Sequence, residues 1–132
     1  MASVTKEIMI AAHPDKAWEA IGDFAGGPVR MAPGFVTDST LDGADVRIVT
    51  FTGGMVLRER LITVDHADKR LVYSVIGDSA KPVHDNATIQ VLTSDGGHSK
   101  IVWTHDVLPA ELAVEWGVGM AHVLELFKKT LE

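Results

Sequence analysis

The chain has 132 residues, 12 basic and 18 acidic, for a net charge of −6; 46% are hydrophobic, 23% are charged and none is cysteine. That length admits one core of ordinary size, and the composition is that of a folded soluble domain, which excludes disorder and low complexity. The acidic balance argues against nucleic acid and anionic membrane surfaces, and the lack of thiols excludes disulfides, cysteine nucleophiles and iron–sulfur clusters.

The chain reads as one domain over residues 1–132. The first apolar run, Ile8 to Ala12, is too short for a signal segment and follows Lys6-Glu7, and no stretch could span a bilayer, so a cytoplasmic protein is expected. Val4 to Ala12 reads as a first strand. His13-Pro14-Asp15 starts a helix, with proline at an early position and an acid in the first turn. Trp18, Ile21 and Phe24 give that helix its apolar face, and Gly26-Gly27-Pro28 is expected to stop it, with a second short helix before Pro33. From Phe35 the period switches to two. Strands are predicted over Phe35–Leu41, Val46–Thr52, Met55–Val64, Arg70–Ile76, Val83–Thr93 and Lys100–Leu108, with Asp42-Gly43, Gly53-Gly54 and Asp95-Gly96-Gly97 as hairpin turns. Pro109-Ala110-Glu111 then opens a long helix to about Leu131. Its apolar positions, Leu112, Trp116, Met120, Val123, Phe127 and Leu131, recur at spacings of three and four. Gly117 and Gly119 mark a bend or a close approach in its middle. The predicted class is α+β: a seven-stranded curved antiparallel sheet around a long C-terminal helix, with two short helices after strand 1 and a cavity between sheet and helix.

Strand parity selects the residues that face this cavity. The apolar odd face of Met55–Leu61 carries Glu59 inward, and the face of Val49 and Phe51 carries Arg47. A three-residue turn with Gly54 left-handed pairs Phe51 with Met55, Val49 with Leu57 and Arg47 with Glu59. Later strands turn Leu71, Tyr73 and Val75 inward, then Asp85, Ala87 and Ile89, then Trp103, His105 and Val107. If Trp103 pairs with Ile89, His105 lies beside Ala87 and diagonal to Asp85, within side-chain reach. A polar band of Arg47, Glu59, Tyr73, Asp85 and His105 then crosses a greasy chamber. Asp85 and His105 form a candidate proton-transfer pair, Tyr73 can steady an oxyanion, and Glu59 joins them as a candidate catalytic carboxylate. Mutual satisfaction of these groups inside a ligand cavity is the competing reading. Arg47–Glu59 reads as an ion pair that staples two strands, or as a ligand anchor. Met31, Val49, Phe51, Leu57, Leu71, Ala87, Trp103, Trp116, Met120 and Phe127 complete the candidate ligand wall. Trp18 reads as core. His13, His66, His84, His98 and His122 lack metal-ligand spacing, and neither a phosphate loop nor a Rossmann fingerprint is present, so no metal or cofactor is expected.

In order along the chain, Trp18-Glu19, Asp23-Phe24, Pro33, Gly43, Val46-Arg47, Glu59-Arg60-Leu61, Asp65, Tyr73, Pro82-Val83, Ala87-Thr88, Trp103, Pro109, Leu126 and Lys128 resemble the START-like (SRPBCC) superfamily, and within it the polyketide cyclase/dehydrase group. The likeness covers nearly the whole chain. It implies a helix-grip fold whose cavity holds an apolar small molecule: polyketide, lipid or hormone. Plant hormone receptors of the superfamily look similar around Glu59-Arg60-Leu61. Two positions depart from the pattern: Met31 stands where an aromatic residue is usual, and Asp85 where tyrosine is common. Three functional readings follow: a module binding an apolar, partly oxygenated small molecule; a cyclase- or dehydratase-type enzyme using the Asp–His pair; and a non-catalytic interaction domain whose partner is a protein or a second copy of the chain, as in a homodimer.

Overall fold

The computed structural model describes residues 2–77 and 82–132. The chain runs β1 (Ala2–Ile10), α1 (Pro14–Ile21), α2 (Gly27–Met31), β2 (Val36–Leu41), β3 (Val46–Phe51), β4 (Val56–Asp65), β5 (Arg70–Ile76), β6 (His84–Thr93), β7 (Ser99–Leu108) and α3 (Leu112–Leu131). All seven strands pair antiparallel in one sheet, in the order β1-β7-β6-β5-β4-β3-β2. The chain passes from one sheet edge to the other through α1 and α2, then returns strand by strand. It finishes with α3 packed on β1, β7 and α2, a helix-grip arrangement.

Local chemistry explains each boundary. His13 caps α1 by accepting the Asp15 N–H at 3.1 Å, with Pro14 in the first turn. The helix ends at Gly22, earlier than the Gly26-Gly27-Pro28 stop expected from the sequence. The Trp18 indole folds over Gly22, where an added Cβ would sit 2.7 Å from the ring. Gly26-Gly27-Pro28 instead launches α2, because proline suits a helix's first turn. The β3–β4 hairpin turns through Gly53 and Gly54, both at positive φ near 93–94°, a conformation that favours glycine. Its register pairs Arg47 with Glu59 and Val49 with Leu57, and Phe51 N–H reaches the Met55 carbonyl at 2.8 Å. A bulge between Leu61 and Thr63 then breaks the alternation of β4, leaving Ile62 exposed.

The core lies between the sheet and the helices. Ile10, Ile21, Leu71, Ile101, Leu124 and Phe127 are its largest fully buried side chains. Within α3, Gly117 is approached closely by β1: a Cβ there would meet Val4 Cγ2 at 3.0 Å, whereas one at Gly119 would meet nothing within 4 Å. Among the described residues no helix is long and apolar enough to cross a membrane.

Candidate functional site

The curved sheet and α3 do not close on each other. A cavity of about 280 Å³ lies between them, lined by Leu57, Val75, Trp103, His105, Trp116 and Met120 among others. A smaller one of about 60 Å³ lies beside it, against Met31, Arg47, Val49 and Leu71. Phe51, Glu59, Tyr73, Trp103 and Val123 line both, so the two chambers adjoin at these residues, where the sequence pattern suggests one hollow.

The strand pairing brings the polar band together as a relay. Tyr73 and His105 both pair with Ala87, from opposite sides, so their side chains converge over its methyl group. The Trp103 Nε1–H donates to Tyr73 Oη at 3.1 Å. Tyr73 Oη lies 3.4 Å from His105 Nε2, the longest link of the chain. His105 Nδ1 lies 2.7 Å from Asp85 Oδ1, and Asp85 Oδ2 accepts the Val75 N–H at 2.8 Å. An ionised carboxylate only accepts hydrogen bonds, so Nδ1 carries a proton toward Asp85, and in the neutral imidazole Nε2 presents a lone pair. In that neutral state the hydrogens run from Trp103 to Tyr73, from Tyr73 to His105 and from His105 to Asp85. The Tyr73, Trp103 and Trp116 rings surround the imidazole, with centroids 5.1 to 5.9 Å away. Burial pushes the Tyr73 phenol well above its ordinary pKa; the Glu59 carboxylate adds to this, Arg47 opposes it, and Asp85 (raising) and the Trp103 hydrogen bond (lowering) act less strongly.

Arg47 and Glu59 form a second polar unit. Arg47 Nε donates to Glu59 Oε1 at 2.8 Å and Nη1 to the Phe24 carbonyl at 3.0 Å. The guanidinium lies over the Phe24 ring at 4.5 Å and the Tyr73 ring at 5.1 Å. Both side chains are buried, and every fully buried side-chain polar atom among the described residues has a partner.

Three of the residues singled out in the sequence do not line either cavity. Asp85 sits behind His105 with its side chain fully buried, because the diagonal register aims it at the imidazole and the Val75 amide; it does not share the chamber with Glu59, Tyr73 and His105. Ala87 is fully buried beneath Tyr73 and His105, its methyl too short to pass them. Phe127 lies past Val123, where α3 closes onto the sheet, and packs in the core. Conversely, the larger chamber is also lined by Phe35, Leu112, Glu115 and Gly119, which the strand argument passed over. The helical period held the signal: 112, 115, 116, 119, 120 and 123 lie on one face. Trp18, read as core, is buried and donates its indole N–H to His66 Nδ1 at 3.0 Å. His122 is exposed yet stacks edge-on against Phe35 at 4.7 Å. Among the described residues no three His, Asp or Glu side chains cluster as metal ligands.

No curated protein matches this chain. Many solved structures share its fold. XoxI from Bacillus cereus superposes with a TM-score of 0.87 at 22% identity, covering 99% of this chain and 96% of its own. An uncharacterised protein from Bacillus thuringiensis gives 0.85 at 20% identity, with 98% of each chain covered. A solution structure from Thermobifida fusca gives 0.78 at 27% identity, covering 99% of this chain and 91% of that one. Residues 1–132 match the family described as polyketide cyclase / dehydrase and lipid transport, and the chain belongs to that family.

Proposed function

We propose that the larger chamber binds a small, mostly apolar, partly oxygenated molecule. The observation that carries this reading is the relay's end at the chamber wall, where His105 Nε2 and Tyr73 Oη meet a mostly apolar cavity. Few, well-placed polar groups in an apolar cavity are the usual composition of a ligand site. The test is a screen of uncharged and charged aromatic and alicyclic compounds, followed through the indole N–H resonances of Trp103 and Trp116. The expected result is saturable shifts of these two signals for some compounds. A broad library that leaves both unmoved refutes the reading.

The direction of the relay supports a second reading, acid–base catalysis of the aldol, dehydration or isomerisation type. His105 Nε2 accepts a proton from the bound molecule, and Asp85 stabilises the imidazolium through Nδ1–H. Nε2 then carries a hydrogen itself and no longer accepts one from Tyr73. The Tyr73 O–H turns to the oxygen on which negative charge develops. A proton taken from one atom of the substrate is thus matched by a hydrogen bond offered to another. In this scheme Asp85 is a positioning residue. In Asp85→Asn the amide oxygen keeps the Val75 N–H while its NH2 faces Nδ1, which drives the imidazole proton to Nε2 and removes the base. Turnover of an identified substrate should fall about 100-fold or more in Asp85→Asn and His105→Gln, while ligand affinity changes little. Full activity in both variants refutes the assignment.

A further inference from the structure

The hydrogen inventory of the larger chamber restricts the chemistry of its guest. Most side-chain donors at its wall are spent when the imidazole is neutral: Trp103 N–H on Tyr73, the Tyr73 hydroxyl on His105, and His105 Nδ1–H on Asp85, which leaves the Trp116 indole N–H as the donor without a partner among the described residues. The positive charge nearest the site, Arg47, lines only the smaller chamber and is committed to Glu59 and the Phe24 carbonyl. Acceptors remain in excess. Glu59 fronts both chambers, and of its two oxygens only Oε1 takes the Arg47 Nε–H. Glu115, in the first turn of α3, adds a second carboxylate to the wall and offsets the positive end of that helix. Asp85 places a third negative group directly behind His105. An anionic guest would meet carboxylates with, among the described residues, no free positive charge and only the Trp116 N–H to answer them. A guest bearing an O–H or N–H finds acceptors beside Tyr73 and aromatic faces on Trp103 and Trp116.

Size adds a second restriction. About 280 Å³ falls just below the usual range of roughly 300–1,000 Å³ for small-molecule sites, which suits a compact ring system.

We infer that the chamber selects compact ring-bearing molecules that carry a hydrogen-bond donor and no negative charge, and discriminates against carboxylates of the same size. This inference rests on the ligand-binding reading above.

The experiment compares four bicyclic probes of one shape at about pH 7: naphthalene, 2-naphthol, 2-naphthylmethylamine and 2-naphthoic acid, which are respectively apolar, a neutral donor, a cationic donor and an anion. Binding is read from the Trp103 and Trp116 indole resonances and by calorimetry. At least one donor-bearing probe should bind about tenfold or more tightly than both naphthalene and naphthoate, a difference of about 1.4 kcal/mol. The naphthol and amine arms separate a neutral hydroxyl guest from an ammonium guest. Naphthoate binding as tightly as both donor probes, or naphthalene matching them, overturns the inference while leaving the ligand-binding reading standing. No response from any probe, with none from the wider screen, overturns both. Glu59→Gln should reduce the preference over naphthoate about tenfold. Should the lone Arg47 charge unfold that variant, Arg47→Met/Glu59→Gln removes both charges and should show the same loss. Unchanged discrimination in a folded Glu59 variant also overturns the inference.

Discussion

Tyr73 is the chain's only tyrosine, so the near-ultraviolet absorbance of tyrosinate reports on the relay alone. In an unfolded chain that phenol is half-ionised at about pH 10. In the folded protein burial, with the Glu59 and Asp85 carboxylates, holds it protonated well beyond that point, despite Arg47 and Trp103. The folded state therefore keeps a proton that the unfolded state loses. Tyr73's contribution to stability is complete below about pH 10 and declines as pH rises above it, by about 1.4 kcal/mol per pH unit while the folded phenol stays neutral. Alkaline titration should show no tyrosinate rise near pH 10 while far-ultraviolet circular dichroism stays native, then a rise together with unfolding. Tyr73→Phe supplies the reference: the difference in urea-derived stability between wild type and variant should shrink with pH above about 10, with lysine titration cancelling between the two. At neutral pH the same substitution should cost about 1–3 kcal/mol, because the Trp103 N–H loses its acceptor. Half-ionisation near pH 10 in a protein that remains folded would refute the enclosed relay.

The ion pair and the helix glycines give two further tests. Arg47→Met alone should destabilise by about 3–5 kcal/mol, because Glu59 is left buried and unpaired, and Arg47→Met/Glu59→Leu should recover most of that loss in urea denaturation. Equal costs for the single and double variants would mean that the pair is not held out of water. Gly119→Ala should raise stability by about 0.5–1 kcal/mol, since its methyl meets nothing within 4 Å and the helix interior gains propensity. Gly117→Ala should give less than this or destabilise, because its methyl presses on Val4 Cγ2 at 3.0 Å. Thermal melts of the two variants decide it, and equal gains would contradict the close packing of α3 on β1.

Much of this architecture is legible in the residues. Gly53-Gly54 fixes the hairpin that sets Arg47 against Glu59, and a register placing Trp103 opposite Ile89 puts His105 beside Ala87. Both follow from alternation and turn chemistry, which are local. The role of Asp85 is not local. Alternation assigns it to the inward face, but whether its carboxylate reaches the chamber depends on a neighbouring strand: the Val75 amide and the His105 ring consume both its oxygens. The division into two chambers is hidden for a similar reason, since it arises where side chains from β3, β4, β5, β7 and α3 meet. The first helix also ends by packing: Gly22 looks no more like a stop than Gly26 until the Trp18 ring lies over it.

The relay belongs to β5, β6 and β7, whereas Phe35, Phe51, Met55 and Leu57 reach the larger chamber from the β2–β4 side of the sheet. On the proposed ligand-binding reading, the β5–β7 side carries the hydrogen-bonded row, and the β2–β4 side, which also bears Glu59, shapes much of the space around the guest. Replacements at Phe35, Met55 or Leu57 can therefore retune which molecule is accommodated without disturbing the Trp103–Tyr73–His105–Asp85 row. On that reading, one scaffold can diversify its guest while the hydrogen-bonded row stays constant.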